Sequence, residues 1–289
     1  QSATRLDEML SALEHQSEPM QLAPPVHALS VENITVAPPG ARQATVINAS
    51  FKLHAGQGLG VIGPSAAGKS SLARGIVGVW PLVRGDVRLD GAALNQWAPI
   101  HLGQHIGYLP QDIEMFDGTI AENIARFDPD ATPDQIMAAA KAANVHDLIL
   151  RLPAGYETYV GEGGNAISSG QRQRVGLARA LYGNPFLVVL DEPNSNLDSE
   201  GDLALTEAIK SVRLRGGIVI VIAHRPSAIV AVDQLAFMAA GQIQAIGPRE
   251  EILRNIMKNN ASAAPPTQAG AAALLASDSQ DTAEPVETV

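Results

Sequence analysis

The chain has 289 residues, 46% of them hydrophobic and 17% charged, enough to bury a sizeable core in one α/β domain or two tightly joined subdomains. Its net charge of -10 excludes a nucleic-acid binder that works through a general basic surface, but not a nucleotide site, whose phosphates need only local donors. With no cysteine, disulfides and thiolate metal sites are excluded as well.

Leu6, Met9, Leu10 and Leu13 form a helical apolar rhythm that Pro19 to Pro25 breaks, so residues 1–25 read as a short helix and a linker. Between Leu29 and Leu53, short apolar runs interrupted by Pro38-Pro39-Gly40 predict a small antiparallel sheet. A strand at Gly58 to Ile62, a glycine-bearing loop and a helix from about Lys69 come next. The helical region that follows includes one helix capped by Thr132, with Pro133 at its first position and Asp134 in its first turn. Further on, Phe186 to Leu190 and Ile218 to Ala223 have the length of buried strands; a membrane span needs about 20 apolar residues. The helix between them starts at Asp198 or Ser199 and stops at Gly216-Gly217. Leu235–Ala239 and Gln242–Ile246 flank Gly241 as a hairpin, and residues 262–289, rich in Ala, Pro, Thr, Ser and acidic side chains, read as a disordered tail. Strands alternating with helices imply a parallel sheet with crossover connections.

Gly63-Pro64-Ser65-Ala66-Ala67-Gly68-Lys69-Ser70 fits the phosphate-binding pattern G-x-x-x-x-G-K-[ST], and it sits between a strand and a helix as that pattern requires. Backbone N–H groups of the loop and the helix start, through Ser71, surround an anion there. Lys69 is expected to reach the β- and γ-phosphates of ATP, and the Ser70 hydroxyl to bind Mg²⁺. The apolar strand at Phe186 ends in Asp191-Glu192, which places Asp191 as a metal ligand and Glu192 where it can polarise an attacking water.

Ahead of that strand, Ile167-Ser168-Ser169-Gly170-Gln171-Arg172-Gln173-Arg174 resembles the signature of ABC transporter nucleotide-binding domains. Gln111, in Tyr108-Leu109-Pro110-Gln111-Asp112, resembles the family's Q-loop, which contacts Mg²⁺ and the attacking water. Ser195-Asn196-Leu197-Asp198 resembles the loop that couples two sites, and His224 the switch histidine that contacts the γ-phosphate. The resemblance implies an ABC-type P-loop NTPase over residues 26–261. Its parts would be a RecA-like parallel-sheet core, an antiparallel β subdomain and an inserted helical subdomain at about 112–175. It also implies a homodimer in the ATP-bound state, with Ser168, Gly170, Gln171 and Asp198 of one copy facing the nucleotide of the other.

Tyr159-Val160-Gly161-Glu162-Gly163-Gly164 resembles the X-loop of ABC exporters, in which Glu162 would touch the membrane domain. Asp191-Glu192-Pro193-Asn194-Ser195-Asn196-Leu197-Asp198 and Gly60-Val61-Ile62-Gly63-Pro64-Ser65 are similar to the ATPases of bacterial type I secretion systems, the alkaline-protease exporter group. That similarity implies an own or cognate transmembrane domain upstream and a place at the cytoplasmic face of the inner membrane. It also implies a periplasmic adaptor and an outer-membrane channel as partners, and no nucleic acid. An exporter of lipid, drug or peptide is the alternative; a soluble ABC ATPase acting on ribosomes or DNA is a further one. Two positions depart from the family pattern. Ser169 replaces the first glycine of the signature pair, and Asn33-Ile34-Thr35-Val36-Ala37-Pro38 offers no aromatic ring for the adenine, leaving Val36 or the residues after it to make an apolar contact. Weak base selectivity is expected from the second.

Overall fold

The computed structural model describes residues 22–164, 166–223 and 226–262; the readings made on residues 1–21, on His224 and on 263–289 lie outside the described residues. β1 (Ala28–Val36) and β2 (Val46–His54) pair antiparallel around Pro38-Pro39-Gly40, as expected. With β4 (Leu82–Leu89) and β5 (Ala92–Ala93) they make a sheet of order β2-β1-β4-β5. The second sheet contains β3 (Gly58–Ile62), β6 (Ile106–Leu109), β7 (Leu187–Asp191), β8 (Ile218–Ile222), β9 (Gln234–Ala239) and β10 (Gln242–Pro248). Its order is β10-β9-β3-β8-β7-β6, parallel throughout except for β10, which closes the expected hairpin with β9.

All residues of β7 and β8 are buried. Parallel strands covered on both faces read as continuous apolar runs, which is why periodicity could locate them. Helix α1 (Lys69–Ile76) touches β1 and β2 of the first sheet and β7 and β8 of the second. Leu72 and Ile76 are buried in the shared core, each contributing about 1.5–3 kcal/mol. The helix that presents Lys69 and Ser70 is therefore fixed by both sheets.

After β5, α2 (Pro99–His105) leads into β6, and the chain then leaves the sheet. The excursion contains α3 (Ile120–Ile124), α4 (Pro133–Ala142), α5 (His146–Leu150) and α6 (Ser169–Leu181), so α6 continues past residue 175. α4 opens as the sequence requires: Pro133 stands in its first turn and the Thr132 hydroxyl accepts from the Gln135 N–H. α7 (Ser199–Leu214) is capped by Asp198 and ends just before Gly216-Gly217. A last helix, α8 (Arg249–Ser262), begins with Glu250 and Glu251 in its first turn. Parallel strands end on a common edge, and ligands bind outside the carboxyl ends of such strands. Here β3 runs into Gly63, β6 toward Gln111 and β7 into Glu192.

Candidate functional site

The loop between β3 and α1 can exist only with glycine at its two ends. Gly63 has φ +153° and Gly68 φ +95°; a Cβ would strike the Met238 carbonyl at the first and the Thr45 carbonyl at the second. Between them Ala66 takes the left-handed conformation, at φ +61°. The Ala67 carbonyl accepts from Gly241 N–H (3.1 Å), and the Gly241 carbonyl accepts from Ile47 N–H (2.8 Å), so the β9–β10 turn braces the loop against β2. Pro64, Ser65 and Ala66 form an exposed rim, whereas Ala67 is buried and its N–H is bonded to the Pro64 carbonyl (3.3 Å). The cap residue of α1, Gly68, has no side chain to occupy the first N–H groups, which leaves them for an anion.

Lys69 is 5% exposed, and its Nζ donates to the carbonyls of Gly63 (3.0 Å) and Pro64 (2.9 Å). Burial pulls its pKa down, while Glu192 and Asp191 act the other way. Next to it, Ser70 Oγ donates to Asp191 Oδ1 (3.1 Å). Asp191 is fully buried, and its other oxygen, Oδ2, has no hydrogen-bond partner. Desolvation raises the Asp191 pKa; the Ser70 hydrogen bond opposes it and the Glu192 charge adds to it. A buried carboxylate oxygen lacking a partner, beside a hydroxyl, is the hard oxygen donor set that suits Mg²⁺. Among the described residues no group of three or more His, Cys, Asp or Glu side chains could hold a metal ion.

Glu192 follows β7 directly, in the left-handed conformation (φ +50°), with its N–H held by the Ile222 carbonyl (3.0 Å). Gln111 Nε2 donates to Glu192 Oε2 (3.4 Å). Among the described residues no hydrogen bond joins Gln111 to Ser70 or Asp191. Val36 is fully buried in the core between the sheets. Of the two alternatives for a base contact, this burial disfavours Val36 and leaves the residues after it.

A second cluster forms at α6. Ser168 caps the helix: its Oγ accepts from Gln171 N–H (3.2 Å), and its own N–H donates to Gln171 Oε1 (2.9 Å). Gln171 thus spends its side chain on the cap. Ser169 is exposed, at the first helical position. Ser168, Gly170, Gln171, Arg174, Asn196 and Asp198 line one cleft of about 270 Å³. Asp198 accepts from Gly201 N–H (2.8 Å) and pairs with the buried Arg174 (2.8 Å); the Gly201 bond leads the causes that lower its pKa. Buried Gln173 donates to the Pro193 carbonyl (2.7 Å), fastening α6 to the segment after Glu192.

No residue of the 63–71 loop lines this cleft. The predicted residues therefore gather in two places: the phosphate loop with Asp191, Glu192 and Gln111, and the signature with Asp198. The Glu162 side chain lies outside the described residues, although the neighbouring Gly163 carbonyl accepts from Arg172 (3.1 Å). Met238, Thr45 and Gly241, which shape the phosphate loop, were missed by sequence reasoning. Gly241 was visible as a hairpin turn, but nothing local linked that turn to residue 67.

Residues 46–195 match the family described as ABC transporter. The chain is 60% identical over 258 residues to the type I secretion system ATP-binding protein PrsD of Rhizobium meliloti, covering 89% of this chain and 44% of that protein. It is 37% identical to the ABC transporter ATM1 of Toxoplasma gondii over 74% of this chain and 19% of that one. Among solved structures, a bacterial Atm1-family ABC exporter with ATP bound superposes with a TM-score of 0.75 at 29% identity, covering 91% of this chain and 47% of that chain. The chain thus spans less than half the length of these relatives.

Proposed function

This chain belongs to the ABC transporter family as an ATP-binding, ATP-hydrolysing domain, and from that premise we propose that it drives export in type I protein secretion. The likeness to PrsD supports secretion over the alternatives. The reading includes an own or cognate transmembrane domain, a periplasmic adaptor and an outer-membrane channel, with the domain at the cytoplasmic face of the inner membrane. No described helix is long and apolar enough to cross a bilayer. An open groove of about 870 Å³, bordered by exposed Ile100, Phe116 and Phe127, offers an apolar surface suited to the membrane domain.

The observation that carries the hydrolytic mechanism is the partnerless Asp191 oxygen beside Ser70, one residue before Glu192. Ser70 and Asp191 would hold Mg²⁺, which when bound neutralises charge on the β- and γ-phosphate oxygens. Lys69 would exchange its two loop carbonyls for those phosphates, its strength there increased by burial. Glu192 would orient water for in-line attack and take its proton, with Gln111 steadying the carboxylate. The resemblance assigns His224 to the γ-phosphate as well. The second half of each site would come from another copy, whose Ser168 and Gly170 present the amino end of α6 to the γ-phosphate. ADP and phosphate release would then part the dimer and move the membrane domain.

Glu192→Gln tests this reading. Equilibrium binding should keep the wild-type ATP affinity, turnover should fall by at least about 100-fold, and size-exclusion chromatography with ATP should show a trapped dimer. Unchanged hydrolysis would remove Glu192 from the role. For the cargo, cells carrying the inactive variant should lose a secreted protein from the medium; loss of a lipid or drug efflux phenotype instead would favour the exporter alternative.

A further inference from the structure

Arg126 stands outside both clusters, yet it joins the elements that carry them. Its Nε donates to the Arg179 carbonyl (2.9 Å) and one Nη to the Ala180 carbonyl (3.2 Å); the other Nη donates to the carbonyls of Gly103 (2.7 Å) and Ile106 (3.2 Å). Arg179 and Ala180 lie in the last turn of α6, and Gly103 in the last turn of α2. Such carbonyls have no partner within their own helix. One planar guanidinium thus closes two helix ends and the start of β6, a task that the compact ammonium of lysine cannot reproduce.

Among the described residues no carboxylate pairs with Arg126 within ion-pair distance, and Arg179 is a neighbouring like charge. Burial leads the causes that push the Arg126 pKa down to about 10, so it remains charged at neutral pH. Its compensation is the negative end of α6 and the carbonyls themselves. The backbone is also constrained: Arg126 (φ +57°) and Phe127 (φ +56°) are consecutive non-glycine residues in the left-handed conformation. Such strain persists only where the surroundings over-determine it.

We infer that Arg126 is a positioning residue that makes the segment carrying Gln111 and the helix carrying Ser168 move as one piece during ATP hydrolysis. From the clamped Ile106, β6 leads in five residues to Gln111; from the clamped Arg179 and Ala180, α6 runs back to Ser168. The hydrogen bonds of the clamp reach no residue of the phosphate loop. Losing the clamp leaves the Lys69 half of the site whole and removes the hydrogen bonds that tie the end of α6 to β6 and α2, so that packing alone holds them together. Turnover, which needs both, suffers, and binding to one copy does not.

The inference rests on the hydrolytic reading above, and the experiment separates the two. MgATP affinity, kcat and Tm are measured on the full chain for wild type, Arg126→Lys and Arg126→Gln; the neutral variant serves if the lysine protein does not fold. The expected result is a kcat lowered at least tenfold with the MgATP Kd within twofold of wild type. In the Glu192→Gln background, Arg126→Lys should also weaken the ATP-dependent dimer. An unchanged kcat overturns the inference, as does a kcat that falls only together with Kd and Tm. A wild-type chain that fails to bind MgATP would instead overturn the hydrolytic reading itself.

Discussion

The phosphate loop and the signature cleft both lie at the amino end of a helix, and they are held in opposite ways. The phosphate loop is fixed by backbone: two glycines in conformations closed to other residues, carbonyls of Met238 and Thr45 against them, and the Gly241 turn behind. The signature cleft is fixed by side chains: a capping box from Ser168 and Gln171, the Arg174–Asp198 pair and the Gln173–Pro193 bond. Backbone restraint suits a surface that must meet phosphate oxygens with its own N–H groups. Side-chain restraint suits the role proposed for this surface, in which it would complete a site in another copy and adjust slightly on closure.

Gly63→Ala attacks that contrast most directly. The added Cβ runs into the Met238 carbonyl and the φ is unfavourable for alanine. ATP affinity should fall at least tenfold, with a Tm several degrees lower, as expected for a cost of about 1–3 kcal/mol. Titration calorimetry and thermal melts check this, and wild-type affinity in the variant would mean that the loop does not depend on its backbone shape.

Asp191→Asn separates function from stability within the rigid half. An acid whose pKa is raised by burial binds its proton more tightly when folded, so its contribution to folding is most favourable at low pH. That contribution is lost as pH rises from the unfolded value of about 4 through the raised one. Asparagine resembles the protonated form. The nucleotide-free variant should therefore match wild type at low pH and become more stable than wild type as pH rises to neutral. Its Mg²⁺-dependent gain in ATP affinity should be lost. Melting curves across pH, with and without MgATP, read both effects; a variant less stable than wild type at neutral pH would contradict the desolvation account.

Ser169→Gly probes the adaptable half and should have the smallest effect. Ser169 is exposed at the first helical position, and the residue lined up against the Asn196 carbonyl is Gly170 instead. Turnover should be preserved or raised by no more than a few-fold, with ATP affinity unchanged. A large loss of activity in a steady-state assay would show that the serine hydroxyl is used.

Much of the fold was legible because its signals are local. β7 and β8 are uninterrupted apolar runs, α4 announces itself by Thr132-Pro133, and α7 begins at Asp198 and ends before Gly216. Gly63, Gly68 and Lys69 were readable for the same reason: their spacing encodes a backbone shape. Between the two alternatives for the base contact, Val36 or the residues after it, the sequence could not choose, because it does not say which residues of the strand meet the core. The burial of Val36 between the sheets disfavours it for a base contact.

The sequence by itself determined the ATP-binding chemistry of this protein, since a phosphate cradle and the carboxylates that follow a buried strand are written in consecutive residues. Tertiary structure decided the rest. It joined Gln111 to Glu192 by a hydrogen bond, turned Gln171 into a cap, set the Gly241 turn behind residue 67 and gave Arg126 four carbonyls from three elements. Each of these depends on groups brought together by the packing of distant segments, and local propensity carries no record of which carbonyl will be left without a partner until the helices that own it have met.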